Sequence, residues 1–246
     1  MRVRFFLTAL AVPLVLGLMS VAGAAGADVA GGPVPTQPTS ARAWVARVVA
    51  PTTRAYAAPS SSAKVRKVLP ALAPLGRGPT QLLVTRTTVV GGERWLEVLL
   101  PMRPNGVTGW IRADSTVLST TRARIVIDLS EHRLTLYRAN HVVLRAGIVI
   151  GKAGTPTPRG TKFAIAEVIS TNNPDGFLGP IVMPLTGYSE TLNEFAGGNG
   201  RVAVHGTSEP GLIGTSASHG CVRMSNANIL RLARIATPGT PVSIRN

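Results

Sequence analysis

The chain has 246 residues, one cysteine and a formal net charge of +15 at pH 7. This length suffices for two modest domains, and the charge favours anionic polymers as partners. Nucleic acid is not the expected polymer, because aromatic residues make up 4% of the chain and no basic helix or stacking surface can be recognised. An anionic cell wall or membrane surface fits better, although such a charge can also serve solubility alone.

Residues 1–27 have the pattern of an export signal. Two arginines precede an apolar run from Phe5 to Leu18, and small residues follow. This order is typical of a secretory signal peptide. A retained membrane anchor is the alternative, but the run is shorter than the roughly 20 apolar residues that span a bilayer. We therefore predict a secreted, extracytoplasmic protein associated with the cell wall, with residues 28–40 as a Pro/Gly-rich linker.

Residues 41–121 are predicted to form a small β-rich domain. Turn residues separate five short apolar pieces, which are WVARVVA, KVRKVLPAL, QLLVTRTTVV, RWLEVLLP and GWIRADSTVL. This spacing is typical of a small barrel or sandwich, with hairpin turns predicted at Gly91-Gly92 and Asn105-Gly106. The run from Trp95 to Val98, followed by Gly109 to Ile111, resembles a bacterial SH3-like domain.

Residues 122–246 are predicted to form a second β-rich domain. The run RIVIDLSEHRLTLYRANHVVLRAGIVIG predicts three strands with two turns, and a further strand is predicted from Lys162 to Ile169. Ser225 is predicted to cap a short helix, and Pro241 to Ile244 form a last strand. Residues 172–200 are rich in Gly, Pro and Asn without a clear period, which favours a functional loop.

The stretch SASHGCVRM contains the only cysteine, Cys221. A thiol attacks as thiolate, and a nearby imidazole can withdraw its proton. His219 lies two positions before Cys221 and would point to the same side of an extended segment. His205 lies sixteen positions before it, at the end of an alternating run, and could reach the sulfur from a neighbouring strand. Spacing alone does not choose between the two histidines.

Neighbouring residues could assist such a thiol. Gly220 permits close approach of a substrate, and amides beside the sulfur could form an oxyanion hole. The Gly206 carbonyl could accept an imidazole N–H, and Glu209 is a weak candidate for a third partner. A buried structural cysteine is an alternative. Zinc is another, but Cys221 and the two histidines lack a recognisable fourth ligand.

The segment from His205 to Thr207, followed by Ser218 to Met224, closely resembles the signature of the L,D-transpeptidase catalytic domain, or YkuD-like, family. The resemblance also includes IDLS with LTLY, TPTPRG at 155–160 and GTPV at 239–242, and it covers residues 122–246. It implies a mainly β protein. An SH3-like β-barrel would precede a β-sandwich catalytic domain with one short helix.

The resemblance implies that Cys221 is the nucleophile, that His205 is the general base and that the Gly206 carbonyl orients it. His219 would shape the site, and the amides of Gly220 and Cys221 would bind the oxyanion. Arg223, Ser218 and Tyr188 are expected to contact the substrate. Arg223 could instead brace the catalytic loop. Residues 172–200 would form a lid through Phe177, Met183, Tyr188 and Phe195, unless these side chains pack against the sandwich.

The expected reaction joins two stem peptides of peptidoglycan. The thiol would attack a donor tetrapeptide, D-alanine would leave, and the acyl group would pass from a thioester to the amine of an acceptor stem. Water as the acceptor would give an L,D-carboxypeptidase, and a non-catalytic wall-binding protein is a further alternative. The resemblance implies no cofactor and no metal ion, and it implies that carbapenem inhibitors acylate Cys221.

Overall fold

The computed structural model describes residues 34–195 and 197–246. The predicted signal peptide and the first six residues of the predicted linker lie outside the described residues. Strands dominate the described chain and are accompanied there by one α-helix, which confirms the predicted mainly β class. Within the same residues, none of the helical segments has the length and apolar character needed to cross a bilayer.

The N-terminal part forms one seven-stranded sheet. Its strands are β1 (Ala43–Val48), β2 (Thr52–Tyr56), β3 (Val65–Pro70), β4 (Gln81–Val90), β5 (Glu93–Leu99), β6 (Thr108–Arg112) and β7 (Thr116–Thr121). They lie in the order β3-β2-β6-β5-β4-β1-β7, and all their pairings are antiparallel. Because β3 and β7 are opposite edges, the sheet is not closed into the expected barrel. The resemblance to an SH3-like domain stays a prediction.

The apolar pieces of this region fold as predicted because alternate side chains fill one core. Leu82, Val84, Leu96 and Val98 come from β4 and β5 and are buried together, as the two-residue period of a strand requires. The connecting turn at Gly91-Gly92 has φ values of 59° and 81°, a conformation that glycine adopts without strain.

The C-terminal part contains two sheets that share a core. Their strands are β8 (Ala123–Asp128), β9 (Arg133–Arg138), β10 (His141–Gly147), β11 (Gly160–Ala164), β12 (Ile169–Ser170), β13 (Ile181–Tyr188), β14 (Arg201–His205), β15 (Val222–Arg223) and β16 (Pro241–Arg245). The first sheet has the order β10-β9-β8-β16-β11, and the second has the order β12-β13-β14-β15. Ile125 and Leu136 of the first sheet are buried in one cluster with Met183 and Val204 of the second.

Most elements predicted for this part are confirmed. The three strands of the opening run are β8, β9 and β10, and the turn between the last two has positive φ at Ala139 and Asn140. The helix α1 (Asn226–Ala233) begins after Ser225, whose hydroxyl accepts a hydrogen bond from the Asn228 amide at 3.3 Å. The last strand is β16. The strand predicted from residue 162 to 169 is shorter, because β11 ends at Ala164.

The prediction that residues 172–200 form one loop is wrong in its middle. Residues 181–188 are β13, which pairs antiparallel with β14. Pro184 and Gly187 disfavour a strand in isolation, but Met183 and Leu185 are buried in the core, and this burial decides the local structure. Only the flanking segments 172–180 and 189–200 remain candidates for a lid.

A buried carboxylate joins the N-terminal sheet to the C-terminal part. Glu167 is 4% exposed, and its Oε2 accepts hydrogen bonds from the amides of Leu75 at 3.1 Å and Gly76 at 2.7 Å. Its Oε1 lies 3.4 Å from Nη1 of Arg201. A buried charge is tolerated only with such partners, so this contact sets how the loop after β3 sits on the C-terminal part.

Further contacts surround this joint. Arg103 donates to the carbonyl oxygens of Ser189 at 2.5 Å and Leu192 at 2.9 Å. Gly239 has a φ of 89°, and a Cβ at this position would lie 2.6 Å from Cγ1 of Val45 in β1. The two parts therefore pack closely enough to exclude even a methyl group at this point.

We predict that Glu167→Gln lowers the free energy of unfolding by about 3 kcal/mol, because Arg201 then keeps a buried charge without its counter-charge. Urea unfolding followed by tryptophan fluorescence measures the change. Glu131→Gln is the matched control, since Glu131 pairs with Arg133 at the exposed surface and should change the value by less than about 0.5 kcal/mol. Equal unfolding curves for the two variants would contradict the prediction.

Candidate active site

Two neighbouring strands set the positions of the predicted catalytic residues His205 and Cys221. β14 ends at His205, and β15 begins one residue after Cys221. The strands pair in parallel, with Val204 opposite Val222 and His205 opposite Arg223. The sequence analysis allowed for such a neighbouring strand, although Cys221 itself precedes β15 rather than lying within it. His205 and Cys221 also line the same cavity.

The turn before the thiol is held by Ser218. This serine is fully buried, and its hydroxyl donates to the Cys221 carbonyl at 2.6 Å and accepts from the Gly220 amide at 3.1 Å. Gly220 has a φ of 112°, which disfavours any residue with a side chain. Ser218 therefore has the contacts of a residue that shapes the turn. The Gly220 amide, one of the two predicted oxyanion donors, is occupied in this conformation.

His205 is a buried and neutral imidazole. It is 1% exposed, and its Nδ1 lies 2.6 Å from the Gly206 carbonyl oxygen. Burial lowers the pKa of His205 to about 4; the charge of Arg223 also lowers it, while the carbonyls of Gly206 and Leu178 favour the protonated ring. Because a carbonyl can only accept, Nδ1 carries the proton and Nε2 is left as a base.

The Gly206 carbonyl is itself held by tight packing. A Cβ on Gly206 would overlap Oδ1 of Asn226 and would lie 2.9 Å from Cα of Gly179. Asn226 is the first residue of α1, and its Oδ1 accepts from the Thr207 amide at 2.9 Å while its Nδ2 donates to the Pro174 carbonyl at 3.2 Å. The sequence analysis missed Asn226, because these partners lie 19 and 52 positions away.

Cys221 is partly exposed as a residue, but its sulfur lies among buried groups. Burial raises its pKa, whereas a backbone hydrogen bond from Ala203 and the charge of Arg223 act in the opposite direction and only reduce the rise. The sulfur is therefore predominantly a thiol at neutral pH, and attack by this residue requires a base that removes its proton.

Arg223 is a buried cation beside the site. Its Nη1 donates to Oε2 of Glu209 at 2.9 Å, and its guanidinium carbon lies 4.3 Å from the centre of the Phe177 ring. Glu209 thus pairs with Arg223. Both backbone groups of Arg223 bond to Val149, at 2.8 and 3.0 Å. These contacts match the expected bracing of the loop, and contact with a substrate stays a prediction.

Aromatic rings from the flanks of β13 cover both histidines. Phe177 lies 6.0 Å from the His205 ring, and Phe195 stacks on His219 with 4.5 Å between the ring centres. Nδ1 of His219 is buried and finds no hydrogen-bond partner among the residues described. Tyr188, which is predicted to contact the substrate, donates its hydroxyl hydrogen to the Pro101 carbonyl at 3.2 Å. It lines the cavity but also anchors the N-terminal sheet.

The cavity at Cys221 and His205 has a volume of about 770 Å³, which is in the usual range for a ligand pocket. Its walls come from β3 and β4 on one side and from β13 and β14 on the other. Across residues 34–195 and 197–246, no group of three or more His, Cys, Asp or Glu side chains is arranged to hold a metal ion.

Residues 122–244 match the family model of the L,D-transpeptidase catalytic domain, YkuD. The YkuD protein of Bacillus licheniformis is 34% identical over 155 residues, which are 60% of this chain and 85% of that protein. The YkuD protein of Bacillus subtilis is 31% identical over 152 residues, covering 59% and 84%.

Solved structures give weaker likenesses. The catalytic domain of an Enterococcus faecium L,D-transpeptidase is 25% identical and has a TM-score of 0.36, with 50% of this chain and 95% of that chain covered. An L,D-transpeptidase of Mycobacterium tuberculosis is 13% identical with a TM-score of 0.43, covering 68% and 90%. The family model and the two Bacillus proteins carry the assignment: this chain belongs to the YkuD family of L,D-transpeptidase catalytic domains.

Proposed function

We propose that the protein is an exported peptidoglycan L,D-transpeptidase that links stem peptides through a thioester at Cys221. The observation that carries the proposal is the site itself, where Cys221 and His205 meet one cavity and the Gly206 carbonyl holds Nδ1 of the imidazole. Membership of the family supports the reaction class. Export is supported only by the pattern of residues 1–27.

In the acylation step, Sγ of Cys221 forms a bond to the carbonyl carbon that precedes D-alanine in the donor peptide. His205 Nε2 takes the thiol proton and then passes it to the nitrogen of the breaking amide bond, so that D-alanine leaves as an amine. The Cys221 amide remains the proposed donor to the oxyanion, with the Gly220 amide joining it only if Ser218 releases it.

In the second step, an amine of the acceptor peptide attacks the thioester. The amine loses its proton to His205, the C–S bond breaks, and the thiol is restored together with a new amide. The energy of the donor amide is conserved in the thioester, so no cofactor is required. Water in place of the amine gives the carboxypeptidase reaction at the same site.

Cys221→Ala should lower the transfer rate by at least about 1,000-fold, because the substitution removes the thiol that forms the acyl-enzyme. Mass spectrometry of a purified disaccharide tetrapeptide after incubation reports the outcome, since dimers minus D-alanine indicate transfer and tripeptide monomers indicate hydrolysis. The same experiment with a carbapenem should give a covalent adduct on the parent protein alone.

Ser216→Ala is the control for this experiment. Ser216 lies in the same segment but contacts His132 at the surface, so its loss should change the transfer rate by less than about twofold. Cross-links formed by the Cys221→Ala protein would refute the proposed mechanism.

Gly206→Ala should reduce acylation by about 100-fold, because the added methyl group overlaps Asn226 and displaces the carbonyl that orients His205. The rate of adduct formation with a carbapenem measures this. Gly211→Ala is the matched control, since a Cβ there meets nothing within 4 Å and should leave the rate unchanged. Similar rates for both variants would show that the carbonyl does not position the base.

The rate of acylation should fall at low pH with a midpoint near 4. A general base acts only when unprotonated, and burial lowers the pKa of His205 to about 4 from its usual 6.5. The unfolded chain binds that proton between pH 6.5 and 4, so the native state also loses stability as the pH falls. Carbapenem acylation from pH 3.5 to 8 gives the midpoint, with circular dichroism verifying the fold. A midpoint near 6.5 would contradict the prediction.

A further inference from the structure

The cavity at the proposed active site is not made by the catalytic part alone. Besides Cys221 and His205, its lining includes Lys67 and Leu69 of β3 and Leu82 and Leu83 in β4. These strands belong to the N-terminal sheet. A peptide that fills the cavity would therefore contact that sheet while its reactive carbonyl lies at the thiol.

The charged side chains that line the cavity differ in their ion pairs and hydrogen bonds. Glu167 and Arg201 pair with each other, and Arg201 Nε also donates to the Leu185 carbonyl at 2.7 Å. Lys67 is half-buried, and among the described residues its side chain forms neither an ion pair nor a hydrogen bond. Burial and the charge of Arg201 lower the pKa of Lys67, so an anionic group beside the ammonium would stabilise its charged form.

We infer that Lys67 binds a carboxylate of the peptide substrate and that the N-terminal sheet thereby selects substrates for the catalytic part. This inference rests on the proposed function. A half-buried ammonium in a mostly apolar cavity gains most from an anionic group placed within hydrogen-bond reach. A donor tetrapeptide supplies such a group at its C-terminal end, and acidic side chains of the stem supply others.

The position of Lys67 relative to the thiol is held by the joint described above. The segment after β3 carries Leu75 and Gly76, whose amides bond to Glu167 of the catalytic part. Recognition groups work best when their supporting contacts fix them before the ligand arrives. The same joint that fixes the sheet therefore fixes the carboxylate-binding side chain.

The test is a binding experiment in the Cys221→Ala background, so that no reaction occurs. Calorimetry measures the Kd of a disaccharide tetrapeptide for the protein with Lys67, Lys67→Met or Lys67→Arg. Lys64→Met is the matched control, because Lys64 is exposed, precedes β3 and does not line the cavity. The peptide is used with free carboxylates, with its C-terminus as carboxamide, and with its diamino acid carboxylate as carboxamide.

We expect Lys67→Met to weaken binding of the free peptide at least about tenfold, which corresponds to the low end of the usual contribution of a hydrogen bond to a charged group. Lys67→Arg and Lys64→Met should bind as the parent does. One of the two carboxamide peptides should bind the parent protein more weakly than the free peptide does, by a similar factor. The Lys67→Met protein should bind that carboxamide and the free peptide with equal Kd. That carboxamide identifies which carboxylate Lys67 contacts.

Equal Kd values for Lys67→Met and Lys64→Met would overturn the inference. It would also be overturned if both carboxamides weakened peptide binding to Lys67→Met as much as they weaken binding to the parent. Absence of measurable peptide binding would also overturn it. Failure of the proposed function looks different. If Lys67-dependent binding is found but the protein with Cys221 intact neither transfers nor hydrolyses the peptide, the inference stands and the catalytic proposal falls.

Discussion

The site depends on the parallel pairing of β14 with β15. Parallel neighbours cannot be joined by a tight turn, so the chain must make a long crossover between them. Residues 206–221 are this crossover, and they contain the groups that surround the thiol. The pairing places the end of β14 beside the start of β15, and a histidine and a cysteine sixteen positions apart in the chain line the same cavity.

Burial then sets the chemistry of that pair. Desolvation favours the neutral form of both groups, so the imidazole is kept unprotonated and the sulfur is kept as thiol. The pair is therefore held as neutral imidazole and thiol rather than as an ion pair, and transfer of the thiol proton to the imidazole is uphill until the sulfur attacks a substrate. Arg223 favours both a neutral imidazole and a thiolate, and its pairing with Glu209 limits the cost of its own burial.

Local pattern was sufficient for most strands, because alternation is a property of short segments. It also singled out His205 and Cys221, which line one cavity, but their catalytic roles stay a prediction. It failed for β13, where Pro184 and Gly187 disfavour a strand that tertiary burial nevertheless imposes. It could not find Asn226, Glu167 or Lys67. The contacts of Asn226 and Glu167 join residues 19 to 92 positions apart, and the surroundings of Lys67 exist only after two sheets have packed.

The joint at Glu167 has a consequence for work with fragments. A catalytic part cut away at residue 122 would expose Ala164, which is buried with Ala43, Leu83 and Leu99 of the N-terminal sheet. It would also leave the carboxylate of Glu167 without two of its donors. Such a fragment would present fresh apolar surface to solvent and would lack one wall of its groove. Its solubility would then differ from that of the intact chain, and any ligand of the cavity would lose the contacts that this wall supplies.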